Sequence, residues 1–233
     1  MLNKEREQEI LNILKTSKGF VSVKQLCSTL FASESSIRRD LKVLESRGLI
    51  KRSYGGASIE VSASAIVNFS RRSEENAEAK RAIAKKAVEL IRDGDVVFLD
   101  QSSTSFYVAL EILDRSSLTV VTNNIEILML LADSGLRVIS SGGFLSNDNR
   151  NCLIGGEAQR TFESIYADLT FFSVKAVTDD GDVTDCSAEE IAVRHSMMKN
   201  AAKKVLLCDS SKLGKRAVFK QCTIDDVDLV ISE

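Results

Sequence analysis

The chain has 233 residues, 44% of them apolar, 27% charged and 6% aromatic, with a formal net charge of -2. A chain of this size and composition buries a core large enough to fold without disulfides or a structural metal. No run approaches 18 uncharged apolar residues and the first residues read MLNKEREQEI, so neither a membrane span nor a secretory signal is expected. Five cysteines, Cys27, Cys152, Cys186, Cys208 and Cys222, are odd in number, widely spaced and never arranged as CxxC. This pattern argues against a disulfide framework or a zinc site and predicts free thiols in the cytoplasm.

The charge is unevenly spread. Residues 1–58 carry 11 Lys and Arg against 6 Asp and Glu, which leaves 20 against 27 for residues 59–233. A small basic module joined to a larger acidic one points to a polyanion partner for the first part only, because an acidic domain repels a phosphate backbone. The spacing predicts three short helices in the first 48 residues, with Ile10, Ile13 and Leu14, then Val23, Leu26 and Leu30, then Ile37, Leu41 and Leu44 turned inward. Ser22 with Gln25 three residues on matches a capping box, and Gly19 and Gly48 stand where helices end.

The third helix presents Ser35, Ser36, Arg38 and Arg39 as one polar group in its first turn. A recognition helix needs this arrangement, since arginines near its N-terminus reach guanine edges in the major groove and hydroxyls hold phosphate. The following GLIKRSYGGAS reads as two short strands around a turn, a wing that brings Lys51, Arg52 and Tyr54 to the DNA backbone. An interaction module whose arginines are only solvated is the alternative reading of the same pattern.

The stretch ESSIRRDLKVLESRGLIKRSYGGAS resembles the helix-turn-helix signature of the DeoR family of transcription regulators. Arg6, the run Arg38, Arg39, Asp40 and Leu41, and the wing residues Arg52, Gly55, Gly56 and Ala57 carry the resemblance. Ser36 departs from it, standing where the family more often has threonine, and keeps the hydroxyl.

Residues 59–76 are Ser-rich, lack proline and a helical period, and read as a linker that adds at most a strand. From residue 77 helices alternate with short apolar runs. The helix NAEAKRAIAKKAVELIRDG places Ile83, Ala84, Ala87, Val88 and Ile91 inward, and VVFLD, LTVVTN, RVISSGG, LTFFSVKAV, KVLLCD and DLVIS read as strands. SFYVALEIL, IEILMLLADSG and AEEIAVRHSMMKNAA are helical, which predicts a mostly parallel sheet flanked by helices.

Ligands of such sheets bind beyond the carboxyl ends of the strands. VVFLD runs into Gln101, Ser102, Ser103, Thr104 and Ser105 immediately before a helix, and hydroxyls with free N–H groups at a positive helix terminus suit a phosphate. A plain Ser-rich cap explains the same residues.

The segments KRAIAKKAVELIRDGDVVFLD, DQSSTS, LTVVTNN, ISSGG, IGGEA and CDSSKLG resemble the family's sugar-phosphate sensor domain over residues 77–233. The resemblance implies a winged helix-turn-helix at 1–58 joined to a larger α/β phosphosugar-isomerase-like sensor. In that sensor Ser102, Ser103 and Thr104 hold the phosphate, and Asp100, Asn123, Gly142 and Lys212 line or support the pocket. Two departures bear on the ligand. Ala192 stands where the family often has a glutamate. Ser173, Val174, Lys175 and Ala176 replace a Gly-Ala-Asp-Gly stretch, so Lys175 either meets a ligand oxygen or is solvated.

Ser187 and Glu190 form a capping box before the last long helix. His195 has no second histidine nearby and reads as a surface or packing residue. Cys186 beside Asp185 lacks a basic neighbour that would favour a thiolate. The reading that results is a sequence-specific DNA-binding repressor of carbohydrate-metabolism genes, a homodimer or tetramer without metal or cofactor, whose operator affinity a phosphorylated sugar modulates. The alternative is a sugar-phosphate isomerase using acids and bases among Asp100, Asp185, Glu189, Glu190 and Lys175. The appended DNA-reading module argues against turnover.

Overall fold

The computed structural model describes residues 3–17, 20–46, 50–59 and 69–233. They fall into two compact units, Met1–Ala65 and Ile66–Glu233.

The first unit contains α1 (Asn3–Thr16), β1 (Val21–Ser22), α2 (Val23–Leu30), α3 (Glu34–Ser46), β2 (Ile50–Ser53) and β3 (Gly56–Ile59). Its core is Ile10, Leu14, Val21, Val23, Leu26, Ile37, Leu41, Leu44, Ile50 and Ala57, with Ile13 and Leu30 packed at its margin. The apolar positions that define the helical period are thus the ones that fill the core. Ser22 starts α2 as the capping box requires, its Oγ accepting from the Gln25 amide at 3.2 Å while Gln25 Oε1 accepts from the Ser22 amide at 3.0 Å. Gly19 and Gly48 lie outside the described residues.

β1, β3 and β2 form an antiparallel sheet in that order. Tyr54 and Gly55 make the tight turn between β2 and β3, and Gly55 takes φ +84. At Gly56 an added Cβ would stand 2.2 Å from the Val21 carbonyl oxygen, so β3 meets β1 only with glycine there.

The second unit is built on a six-stranded parallel sheet in the order β14-β12-β9-β4-β5-β6. In chain order it runs α4 (Phe69–Glu74), α5 (Ala77–Val88), β4 (Val96–Leu99), α6 (Ser103–Glu111), β5 (Thr119–Thr122), α7 (Ile125–Leu131) and β6 (Arg137–Ser140). Then come β7 (Phe144–Leu145), β8 (Leu153–Ile154), α8 (Gly156–Glu163), β9 (Ala167–Phe172), β10 (Ala176–Val177) and β11 (Asp182–Asp185). α9 (Ala188–Lys199), β12 (Ala201–Leu207), β13 (Phe219–Thr223) and β14 (Leu229–Ile231) complete it. β10, β11 and β13 form a separate antiparallel sheet, and β7 pairs with β8.

Alternation along β4 divides the core between two faces. Val97 and Leu99 join Ile83, Ala87 and Val108 on one side, while Phe98 joins Phe162, Val193 and Met197 on the other. The Phe98 and Phe162 rings meet edge to face at 5.0 Å. After β4 the chain adds β5 and β6 on one side, then returns to add β9, β12 and β14 on the other. The order of strand addition therefore reverses between β4 and β9, which run parallel, and this is where a parallel sheet opens a crevice at its carboxyl edge.

The stretch read as a linker, 59–76, contains a helix. Within α4, Phe69 is buried and stacks edge to face on Phe106 at 5.5 Å, so this helix packs on α6. Its six residues are too few to show a helical period in sequence, and its order comes from that packing. The run LTFFSVKAV, read as one strand, is divided between β9 and β10, which belong to different sheets.

Candidate functional site

In the first unit Ser33 starts α3, its hydroxyl accepting from the Ser36 amide at 3.3 Å and lying 3.1 and 2.9 Å from the hydroxyls of Ser35 and Ser36. With Ile37, Leu41 and Leu44 buried, Ser35, Arg38 and Arg39 are exposed and Ser36 is half-buried. Arg38 pairs with Glu34 one turn earlier at 2.6 Å, both side chains more than half exposed. Such a surface pair contributes at most about 1 kcal/mol, so a competing anion exchanges with it readily. Arg39 makes no hydrogen bond or ion pair among the described residues.

On the wing Tyr54 is fully exposed and Arg52 pairs with Glu45 at 2.7 Å, which holds the Glu45 carboxyl below its ordinary range. The Lys51 side chain lies outside the described residues. Sequence reading gave no part to the pair of Arg6 with Asp40. Arg6 Nε donates to Asp40 Oδ2 at 2.5 Å and Nη2 to Oδ1 at 3.3 Å, with the Asp40 side chain 3% exposed. This charged hydrogen bond raises the Arg6 pKa and ties α1 to the buried side of α3. The run Arg38, Arg39, Asp40 thus divides its work, two cations pointing outward and one carboxylate fixing the helix from behind.

In the second unit a cleft of about 380 Å³ opens at the reversal between β4 and β9. The end of β4 and the first turn of α6 supply Gln101, Ser102, Ser103 and Thr104, and the end of β9 supplies Ser173, Val174 and Lys175. The lining cations are Arg72, Lys80, Lys175, Arg194, Lys212 and Lys215, against the acids Glu75, Asp185, Glu190 and Asp209. A net positive cleft in an acidic unit is built for an anion.

The loop beneath it is fixed by Asp100, which is fully buried. Its Oδ1 accepts from the Ser102 amide at 3.1 Å and the Ser105 hydroxyl at 2.6 Å, and its Oδ2 accepts from the Ser173 amide at 3.2 Å. Ser102 caps α6, accepting from the Ser105 amide at 3.0 Å. The amides of Ser103 and Thr104 remain in the first helical turn, where the backbone has no intrahelical acceptor. Thr104 is 1% exposed, and its hydroxyl has no hydrogen-bond partner among the described residues. Lys212 Nζ donates to Ser173 Oγ at 2.6 Å and lies 3.4 Å from Asp209.

Arg194 lies at the centre of the acidic side. It is fully buried and reaches Asp185 at 2.6 Å, Asp100 at 3.5 Å and Glu190 at 3.7 Å, and it donates to Gln221. Burial opposes its charge, but Asp185, Asp100 and Glu190 outweigh that effect and hold its pKa above the ordinary value. Glu190 also accepts from Gln101 at 2.8 Å and Asn149 at 3.0 Å. Lys80 donates to the carbonyls of Arg72 and, at 2.6 Å, of Glu75. Burial, with Lys212 nearby, brings its pKa down to about 8.

Of the residues assigned to a ligand from sequence, Ser102, Ser103, Thr104, Lys175 and Lys212 line the cleft, and Asp100 supports it from below. Lys175 is exposed at its rim without a hydrogen bond or ion pair among the described residues. Asn123 and Gly142 are not lining residues, because β5 and β6 lie on the far side of β4 from the reversal. Asn123 supports the cleft from behind, donating to Oε1 of the lining Gln101 at 3.5 Å and to the Leu153 carbonyl at 3.1 Å. Gly142 forms part of the turn after β6 with φ +65.

Arg72, Lys80, Arg194 and Asp209 line the cleft without having been assigned from sequence. His195 is exposed, with Nε2 2.8 Å from the Gln221 carbonyl oxygen. Desolvation and Asp185 push the Cys186 thiol above its ordinary value. No group of three or more His, Cys, Asp or Glu among the described residues is placed to hold a metal, and no described helix is long and apolar enough to cross a membrane.

Comparison with known proteins decides the family. The profile of the DeoR-like helix-turn-helix domain matches residues 6–63, and that of the DeoR C terminal sensor domain matches residues 75–233. The chain belongs to the DeoR family of transcriptional regulators. Among its DeoR-type relatives, the HTH-type transcriptional regulator GlpR of Haloferax volcanii is 34% identical over all of this chain and 91% of its own length. The glycerol-3-phosphate regulon repressor of Escherichia coli is 31% identical over all of this chain and 92% of its own. Among solved structures, the translation initiation factor eIF-2B of Pyrococcus horikoshii shares the fold at a TM-score of 0.50, with 14% identity over 99% of this chain and 87% of that one. The DeoR family is regulatory, and the close relatives are named as regulators or repressors rather than enzymes.

Proposed function

We propose that this chain is a sequence-specific DNA-binding repressor of carbohydrate-metabolism genes whose affinity for its operator is lowered by a phosphorylated sugar. The observation that carries this reading is the cationic cleft at the β4 and β9 reversal, with the free first turn of α6 as its floor. A phosphoryl group fits there on the Ser103 and Thr104 amides and hydroxyls, with Lys80 and Lys212 beside it. Gln101, Asp185 and Glu190 also line the cleft and offer acceptors for the hydroxyls of a sugar. The relative named as a glycerol-3-phosphate regulon repressor supports a phosphate ester as the ligand class.

The DNA-reading domain is assigned to residues 1–58, with Ser35, Ser36, Arg38 and Arg39 on bases and adjacent phosphates and Lys51, Arg52 and Tyr54 on the backbone. The sensor is assigned to residues 77–233, with α4 of the intervening 59–76 contributing Arg72 to its cleft. The repressor works in the cytoplasm as a homo-oligomer, because one winged module makes too few base contacts for a selective site. The ligand acts by preferring one arrangement of the paired DNA-reading domains, and its differential affinity sets the size of the response.

Calorimetric titration of the full chain with phosphorylated sugars and their dephosphorylated counterparts tests the ligand class. One phosphate ester is expected to bind at least about 100-fold tighter than its alcohol, and Ser103→Ala to weaken it about tenfold. Between pH 7.5 and 9.5 the ester stays dianionic. Lys80, which Arg72 of α4, Glu75 just after it, Asp209 and Lys212 face, loses its proton above about pH 8. Affinity is therefore expected to fall across that range. Equal binding of ester and alcohol would overturn the reading.

A further inference from the structure

Arg72 stands apart from the other cations of the cleft. Its Nε and Nη2 are buried with no hydrogen-bond partner among the described residues, and its guanidinium lies 5.7 Å from the centroid of the Phe69 ring. Of the lining acids, Glu75 pairs with Arg71 at 3.9 Å and Asp209 with Lys212 at 3.4 Å, although Asp209 Oδ2 has no hydrogen-bond partner among the described residues. A buried guanidinium fork without an acceptor is costly to hold in place, and its planar donors match a phosphoryl group two at a time. Two other buried donors on cleft-lining residues lack a hydrogen-bond partner among the described residues: Thr104 Oγ1, in the first turn of α6, and Arg194 Nε, which lies 3.5 Å from the Asp100 carboxylate.

The backbone around Arg72 is tied to the same turn. Ser103 Oγ donates to the Arg72 carbonyl at 3.3 Å, Tyr107 of α6 donates to the Ser73 carbonyl at 3.0 Å, and Lys80 of α5 holds the carbonyls of Arg72 and Glu75. In sequence α4 follows residues 60–68, which lead back to β3 of the DNA-reading unit. An anion at the first turn of α6 therefore touches Ser103 directly, and closing the Arg72 fork on it would fix α4 from both its side-chain and its main-chain side.

We infer that Arg72 is a phosphoryl ligand that couples occupancy of the cleft to the chain segment leading to the DNA-reading unit. The inference rests on the phosphate-ester reading above and adds to it the residue through which binding is transmitted. Without this contact a ligand would still dock on α6 but would bias α4 less, and so would shift the DNA-binding equilibrium less.

The test compares the full chain with Arg72→Gln and Arg72→Lys. Melting is followed in inorganic phosphate against chloride at matched ionic strength, and operator affinity is measured with and without the phosphate ester found by calorimetry. Phosphate is expected to raise the melting temperature of the unsubstituted chain and to do so much less for Arg72→Gln. The ratio of operator affinities without and with ester is expected to fall at least about tenfold in that variant. Should Arg72→Gln fold poorly, Arg72→Lys keeps the charge and stem but lacks the fork, and it is expected to show a reduced ratio with an unchanged melting temperature in chloride. A full phosphate response and a full ratio in the variants would overturn the role of Arg72 while leaving the ligand class standing. An unsubstituted chain that responds to no phosphate compound would overturn both.

Discussion

Replacing Arg38 and Arg39 together by alanine is expected to abolish discrimination between operator and random DNA while leaving the melting temperature within about 2 °C of the original. Both side chains are exposed on α3, and the one ion pair either makes among the described residues, Arg38 with Glu34, is a solvent-facing pair of small energetic consequence. Each arginine on a base edge discriminates by about 1–3 kcal/mol, so losing two costs roughly 30-fold to 10⁴-fold in specific affinity. Lys51→Ala is the control. It is expected to weaken binding to all sequences alike and to flatten the salt dependence by a slope of about one. Undiminished operator preference in the double variant, measured by competition at fixed salt, would remove these arginines from base reading and favour a solvated protein-interaction face.

Arg194→Met is expected to have the largest effect on the sensor. The substitution keeps apolar volume but leaves Asp185, Asp100 and Glu190 facing one another around a site where the cation was fully buried. Removing one partner from a buried charge network costs about 3–5 kcal/mol, which lowers the melting temperature by roughly 6–20 °C for a unit of this size. The loss also releases the loop that presents Ser102 and Ser103, because Asp100 positions it. Phosphate-ester affinity is therefore expected to fall even at temperatures where the variant is folded. A calorimetric melt and ester titration like those of the unsubstituted chain would show that Asp100 needs no countercharge to hold the loop.

Much of this architecture is legible in the sequence because it follows from periodicity. Ile37, Leu41 and Leu44 mark the buried face of α3, which leaves Arg38 and Arg39 outward without reference to any other element. Val97, Phe98 and Leu99 form a continuous apolar run because both faces of β4 are covered. The loop at 101–105 announces itself by hydroxyls at a strand-to-helix junction. What sequence does not display are the pairings across long separations. Arg6 and Asp40 come together only once α1 packs on α3. Arg194 carries no sign in sequence of its partners, yet Glu190 one turn earlier, Asp185 of β11 and Asp100 after β4 surround it. Lys80 and Arg72, spaced by eight in a stretch with mixed patterning, meet the cleft because α4 folds back on α5 and α6. Conversely Asn123 and Gly142 end strands as a pocket residue should, but their strands add on the other side of β4, so Asn123 reaches the cleft only through Gln101 and Gly142 is not a lining residue.

The central claim is that one chain reads DNA with α3 and is released by a phosphate ester in the cleft of its second unit. Binding of the full chain to a labelled fragment of the DNA flanking its own gene, at fixed salt and with a panel of sugar phosphates, tests this most directly. The expected result is site-specific binding that one phosphorylated compound weakens and its dephosphorylated counterpart does not. Site-specific binding indifferent to every phosphorylated compound would contradict the account, since the cationic cleft would then have no part in controlling the DNA-reading helix.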